Sequence, residues 1–233
     1  FTITGLQGNL SNTASGAVSV TLADNTDGLY TVTSSNAITV NNGTAQIGDT
    51  ITLAGAGAKT VNALLANLTL HATNTGTTNV TTGDASLTIN ANAAAGALTV
   101  DGAALDQDKT LTLAGGANAT NATVNNLVAN LVANTLASAL TVDLADAGDN
   151  AISITTGTFT TSINDSAATD TITVIAAALA DNALLSTAGA GSFTITGLQG
   201  NLSNTASGAV SVTLADNTDG LYTVTSSNAI TVN

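Results

Sequence analysis

Apolar and polar residues alternate with period two in many short runs, among them Thr50-Ile51-Thr52-Leu53, Thr171-Ile172-Thr173-Val174, Val18-Ser19-Val20 and Ile152-Ser153-Ile154. β-Branched residues dominate these runs and clusters of Gly, Asn and Asp separate them, which is strand and turn chemistry. One stretch departs from the pattern. Val124, Leu127, Val128, Leu131, Val132, Leu136 and Leu140 show the i, i+3, i+4 spacing of a helix. The related segment at 194–212, TITGLQGNLSNTASGAVSV, carries Gly197, Gly200 and Gly208. Each would weaken a helix by about 1 kcal/mol, so strands are predicted in both places.

The runs repeat at two levels. Residues 193–233 are identical to residues 1–41, an offset of 192. The chain therefore reads as one full tandem repeat, 1–192, followed by the start of the next, 193–233, as a slice of a longer array. Phe1 opens on a Thr-rich strand pattern and does not read as a natural amino terminus or a signal peptide. Within the period, segments 38–55, 98–115 and 172–189 align without gaps and mark three degenerate units starting near 38, 98 and 172. A second motif follows each start: TVNALLANL at 60–68, TVNNLVANL at 123–131 and TITGLQGNL at 194–202. The unit starting at 98 is longest, and its extra residues are placed around 155–170.

Short, evenly spaced strands without proline predict an all-β fold. The expected form is a β-solenoid of the parallel β-helix kind, with about 20 residues per coil and coils stacked at about 4.8 Å. Its narrow interior suits Ala, Val, Ile and Leu and excludes most aromatics. Asn67, Asn130 and Asn201, in a recurring Asn-Leu step, are expected to stack as side-chain amide ladders. The alternative is a string of tandem β-sandwich repeats, which would want a bulky core residue or a Cys–Trp centre in each unit.

Composition narrows the function. Thr (44), Ala (43), Asn (26) and Gly (22) dominate, while Cys, Met, Pro, Trp, Glu and Arg are absent. All 15 acidic residues are Asp, the only cations are Lys59 and Lys109, and the net charge is −13. Nucleic-acid binding needs clustered cations and is excluded on that ground. Membrane insertion is excluded too, because the longest apolar stretch, Val174 to Ala180, is far short of the ~20 residues of a spanning helix. Catalysis is not expected: His71 is the sole histidine, and no nucleophile–base pair can be assembled from what remains. His71 itself reads as a turn residue.

Calcium is the one cofactor with candidate ligands. Asp clusters in turns at Asp24 and Asp27, at Asp101, Asp106 and Asp108, at Asp146 and Asp149, and at Asp216 and Asp219, the copies of the first pair. Hard cations want several such oxygens at one point, although Asp also favours turns by bonding its own backbone. Thr-x-Thr pairs (Thr2/Thr4, Thr50/Thr52, Thr110/Thr112, Thr171/Thr173) would put hydroxyls on an outer face, where flat arrays order water or ice. Aligned by sequence they recur once per unit rather than once per coil, so a gapped array is expected, and β-propensity accounts for them.

The units TLTLAGG, FTITGLQGNLSNTASGAVSVTLAD and DNAISITTGTF resemble repeats of very large secreted bacterial surface and matrix proteins, the Ala/Thr/Asp/Gly-rich adhesins that look like type I secretion substrates. The chain departs from calcium-binding secreted repeats in lacking the G-G-x-G-x-D-x-U-x nonapeptide. The resemblance implies an extracellular or cell-surface location and a role in adhesion or fibre building, without catalytic residues. The expected function is thus a structural repeat of a long extracellular bacterial fibre, stalk or biofilm-matrix protein. Its partner would be itself, through neighbouring tandem repeats and lateral fibre association. The alternative is a ligand-binding adhesin module, either calcium-dependent or ice- and surface-binding.

Overall fold

A computed structural model describes residues 1–91, 96–115, 121–146, 148, 150–216 and 220–233. Among them the chain forms twenty-four short strands, β1 (Thr2–Leu6) to β24 (Ile230–Val232), and no helix. None, accordingly, is long and apolar enough to cross a membrane. Odd-numbered strands make one twelve-stranded sheet and even-numbered strands the other, each in sequential order, and every pairing is parallel. This is a two-walled β-solenoid of roughly 21 residues per coil. The antiparallel pairing of a sandwich does not occur among these strands.

Alternation decides which side chains meet inside. On the odd wall the inward column reads Ile3, Val20, Val40, Val61, Val80, Val100, Val124, Val142, Ile163, one residue per coil. The opposite wall answers with columns such as Leu87, Leu111, Leu131, Ile154, Val174, Ile195 and Val212. Nearly all of these are fully buried and belong to one continuous core. A buried side chain of this size contributes about 1.5–3 kcal/mol. The interior also accepts aromatics at two places, Tyr30 and Phe193, both 1 % exposed. Tyr30 fits because its hydroxyl reaches the corner and donates to the Ala23 carbonyl (2.8 Å).

The helical spacing around Val124 has a different cause. β13 (Ala122–Leu127) carries one extra residue against β15 (Leu140–Leu144), so Val124 and Leu127, three apart, both point inward. The same β-bulge recurs in β1, in β7 (Lys59–Leu64) and in β20 (Ser192–Leu198). Each places one residue at positive φ: Gly5 (72°), Ala63 (52°), Asn126 (55°) and Gly197 (66°). Glycine and asparagine tolerate that conformation, but alanine brings its Cβ against the following carbonyl.

The Asn-Leu steps behave differently from the amide ladder expected of them. Asn67 and Asn130 lie on the even wall three coils apart, and Asn201 lies on the odd wall, so they cannot stack on one another. Each instead accepts the backbone N–H of the next coil: Thr88 to Asn67 Oδ1 (2.9 Å), Ser153 to Asn130 Oδ1 (2.9 Å) and Thr223 to Asn201 Oδ1 (2.8 Å).

Relief of the one strained bulge should be measurable. Ala63→Gly is expected to raise stability by about 1 kcal/mol, seen as a higher Tm in thermal unfolding, and Gly197→Ala to lower it.

Candidate functional site

The outer surface of the odd wall carries the longest chemically uniform feature of the chain. The outward position paired from coil to coil reads Thr2, Ser19, Thr39, Thr60, Asn79, Thr99, Thr123, Thr141, Ser162, Ser186, Ser203, Thr225. A hydroxyl stands at every rung but Asn79, at the ~4.8 Å spacing of the coils, and none of these residues is buried. Beside it runs a second polar column, in which Asn62 Nδ2 donates to Asn41 Oδ1 (2.9 Å) and Asn41 Nδ2 to Ser19 Oγ (3.2 Å). This column recurs once per coil, broken only at Asn79, whereas Thr50/Thr52, Thr110/Thr112 and Thr171/Thr173 lie on the even wall three coils apart. Strand pairing aligns single hydroxyls that share no local motif.

Acidic residues collect along one edge. In the arcs leading from odd to even wall lie Asp24, Asp27, Asp49, Asp84, Asp106, Asp108, Asp146 and Asp170, and Asp101 and Asp165 end strands that run into those arcs. On the opposite arcs, among the described residues, stand only Asp181 and Asp216, the latter the copy of Asp24.

The calcium candidates fall within this arrangement as follows. Asp24 and Asp27 share a cleft of about 450 Å³ lined by Gln7, Asp24, Asn25, Thr26 and Asp27. Two bonds tie it to the coil before, Gln7 Nε2 donating to the Asp24 carbonyl (2.7 Å) and Asn25 Nδ2 to the Gln7 carbonyl (2.9 Å), and one closes the turn, the Leu29 N–H donating to Asp27 Oδ1 (3.3 Å). Asp101, at the end of β11 (Leu98–Asp101), accepts from the Ala103 N–H and from Asn126 Nδ2, both at 3.2 Å. In the arc that follows, Asp106 and Asp108 are exposed, and Asp108 pairs with its neighbour Lys109 (2.9 Å). Asp146 and Asp216 are exposed on other arcs, whereas Asp149 and Asp219 lie outside the described residues. Among the described residues no three His or Asp side chains gather as a metal site. His71 is exposed in a turn, its Nδ1 accepting the Thr73 N–H (3.2 Å).

Lys59, Asp165 and Asp170 are fully buried instead, and the first two have shifted pKa values. Lys59 begins β7 at the inward position that Ile38 and Thr78 occupy in the adjoining coils. Its ammonium donates to the carbonyls of Ser34 (3.1 Å), Gly55 (3.0 Å) and Gly57, and burial pulls its pKa below the usual lysine range. Asp165 ends β17 (Thr161–Asp165) fully buried. One carboxylate oxygen accepts the Ala167 N–H (3.3 Å) and the other has no partner. Burial pushes its pKa up, the charges of Asp170 and Asp146 add to that, and the Ala167 bond opposes it. The only sequence signal for either is a charged residue at an inward strand position, which requires the register to be known.

Comparison with protein-family models, with curated proteins and with solved structures finds no match.

Removing the lysine head should take that donor from the Gly55 and Gly57 carbonyls, while the Ser34 carbonyl keeps the Gly57 N–H (3.3 Å). Lys59→Met is expected to cost about 2 kcal/mol in denaturant unfolding. For Asp165, a folded-state pKa raised above the unfolded value means that stability is full below about pH 4 and falls as pH rises through the folded pKa. Asp165→Asn should flatten that decline and raise Tm at neutral pH, as a pH series of thermal melts would record.

Proposed function

We infer that the chain is a structural repeat of a long extracellular bacterial fibre, stalk or biofilm-matrix protein, with no catalytic role. One observation carries this reading: stacking runs without a break across the boundary between periods. β20, the copy of β1, pairs with β18 (Thr171–Ile175), and β21 (Asn201–Asn204), the copy of β2 (Leu10–Asn12), pairs with β19 (Leu184–Gly189). Phe193 is 1 % exposed where its copy Phe1 is 82 % exposed, so the last coil of a period completes the first coil of the next. The partner in this reading is the chain's own neighbouring repeat, with lateral association of fibres. A backbone paired along the whole axis, free of Cys and Met, suits durability outside the cell.

The second reading, a surface- or ice-binding adhesin module, draws support from the hydroxyl column of the odd wall, and its calcium-dependent form from the acidic edge. Both readings share the solenoid and differ in what the flanks do.

Electron microscopy of a covalent tandem of the repeat should show unbranched fibres with an axial rise near 45 Å per period, which is nine to ten coils at about 4.8 Å. Discrete beads on a flexible tether would overturn the fibre reading. A Tm that falls on adding a chelator would favour the calcium-dependent module instead.

A further inference from the structure

The 41 residues that occur twice occupy opposite walls. Thr2–Leu6 forms β1 on the odd wall, whereas the same letters form β20 on the even wall. Nineteen strands therefore separate a residue from its copy, an odd number in a coil of two, and the period is nine and a half coils long. The odd strand enters through one unit. Strands β5 (Ile38–Asn41) to β10 (Leu87–Asn90) fill the first unit and β18 to β23 (Val224–Ser226) the third, six each, while the unit starting at 98 holds seven, β11 to β17. The half-coil shift keeps the core intact. Val18 and Val20 of β3 (Val18–Leu22), and their copies Val210 and Val212 of β22 (Val210–Leu214), are all buried, because both walls demand the same alternation.

We propose that successive periods of the array are related by a half-turn about the fibre axis, so that each surface feature changes sides from one period to the next. This rests on the fibre reading and adds what that fibre displays. The structure contains the first exchange. The hydroxyls of Thr2, Ser19 and Thr39 stand on the odd wall, and their copies Thr194, Ser211 and Thr231 continue as a column on the even wall. Asp24 lies on one edge and its copy Asp216 on the other. Along either edge, acidic blocks are then spaced by an intervening period of about 45 Å, several times the ~8 Å screening length of physiological salt. The fibre has no front and back: the hydroxyls that one wall carries in one period stand on the other wall in the next.

The test uses a covalent tandem of several periods, each with Ser15→Cys. Ser15 lies in an exposed turn on the arc from even to odd wall, its copy Ser207 is exposed on the opposite arc, and the chain has no native cysteine. Small maleimide-coupled gold clusters are attached and the fibres imaged. Consecutive particles should alternate between the two edges, stepping about 45 Å along the axis and about 90 Å along any one edge. A single row on one edge at about 45 Å overturns the half-turn and leaves the fibre reading standing. Irregular spacing overturns both. A second series carrying Ser35→Cys, in an exposed turn on the same edge, must give the same zigzag.

Discussion

Everything in this molecule depends on parallel pairing of each coil with the next. Once the backbone of one coil bonds to the coil before it, every side chain must share its environment with the residue one coil away, at a spacing of about 4.8 Å. Inward positions must therefore be filled by similar side chains from coil to coil, as the Val and Ile column of the odd wall shows. A large polar or charged residue needs a corner that can satisfy it. Tyr30 reaches the Ala23 carbonyl, and Lys59 reaches three carbonyls around its turn. Asp165, with an unpartnered oxygen, is the position where that accommodation is incomplete.

The same constraint builds the outer surfaces. Residues without any motif in common become a column because the register aligns them, and acidic turns become an edge because odd and even arcs fall on opposite sides. The two-walled coil adds a further freedom. Both walls ask for the same inward alternation, so a strand can be gained without upsetting the packing of those that follow. The seven-strand unit uses this freedom, and its consequence is carried by the whole array rather than by the unit itself.

Much of the fold was legible in the letters. Period-two alternation, regular turn residues and the lack of proline were enough for a solenoid of the right coil length. The apparent helix around Val124 was resolved by the glycines of the related segment, although its cause, an extra residue at positive φ, belongs to the bulge geometry. The surfaces were less legible. Thr-x-Thr pairs and Asn-Leu steps are local motifs, whereas the hydroxyl column and the bonds accepted by Asn67 and Asn130 link residues 17 or more positions apart.

By itself the sequence determined that this protein is an acidic, repetitive all-β chain with a period of 192 residues, because composition, alternation and identity are properties of the letters. Only the tertiary structure decided what the period means in space. Whether it contains an odd or an even number of strands settles which wall and which edge each copy occupies. That parity emerges only when every strand, including those with weak local signals, has taken its place in the stack.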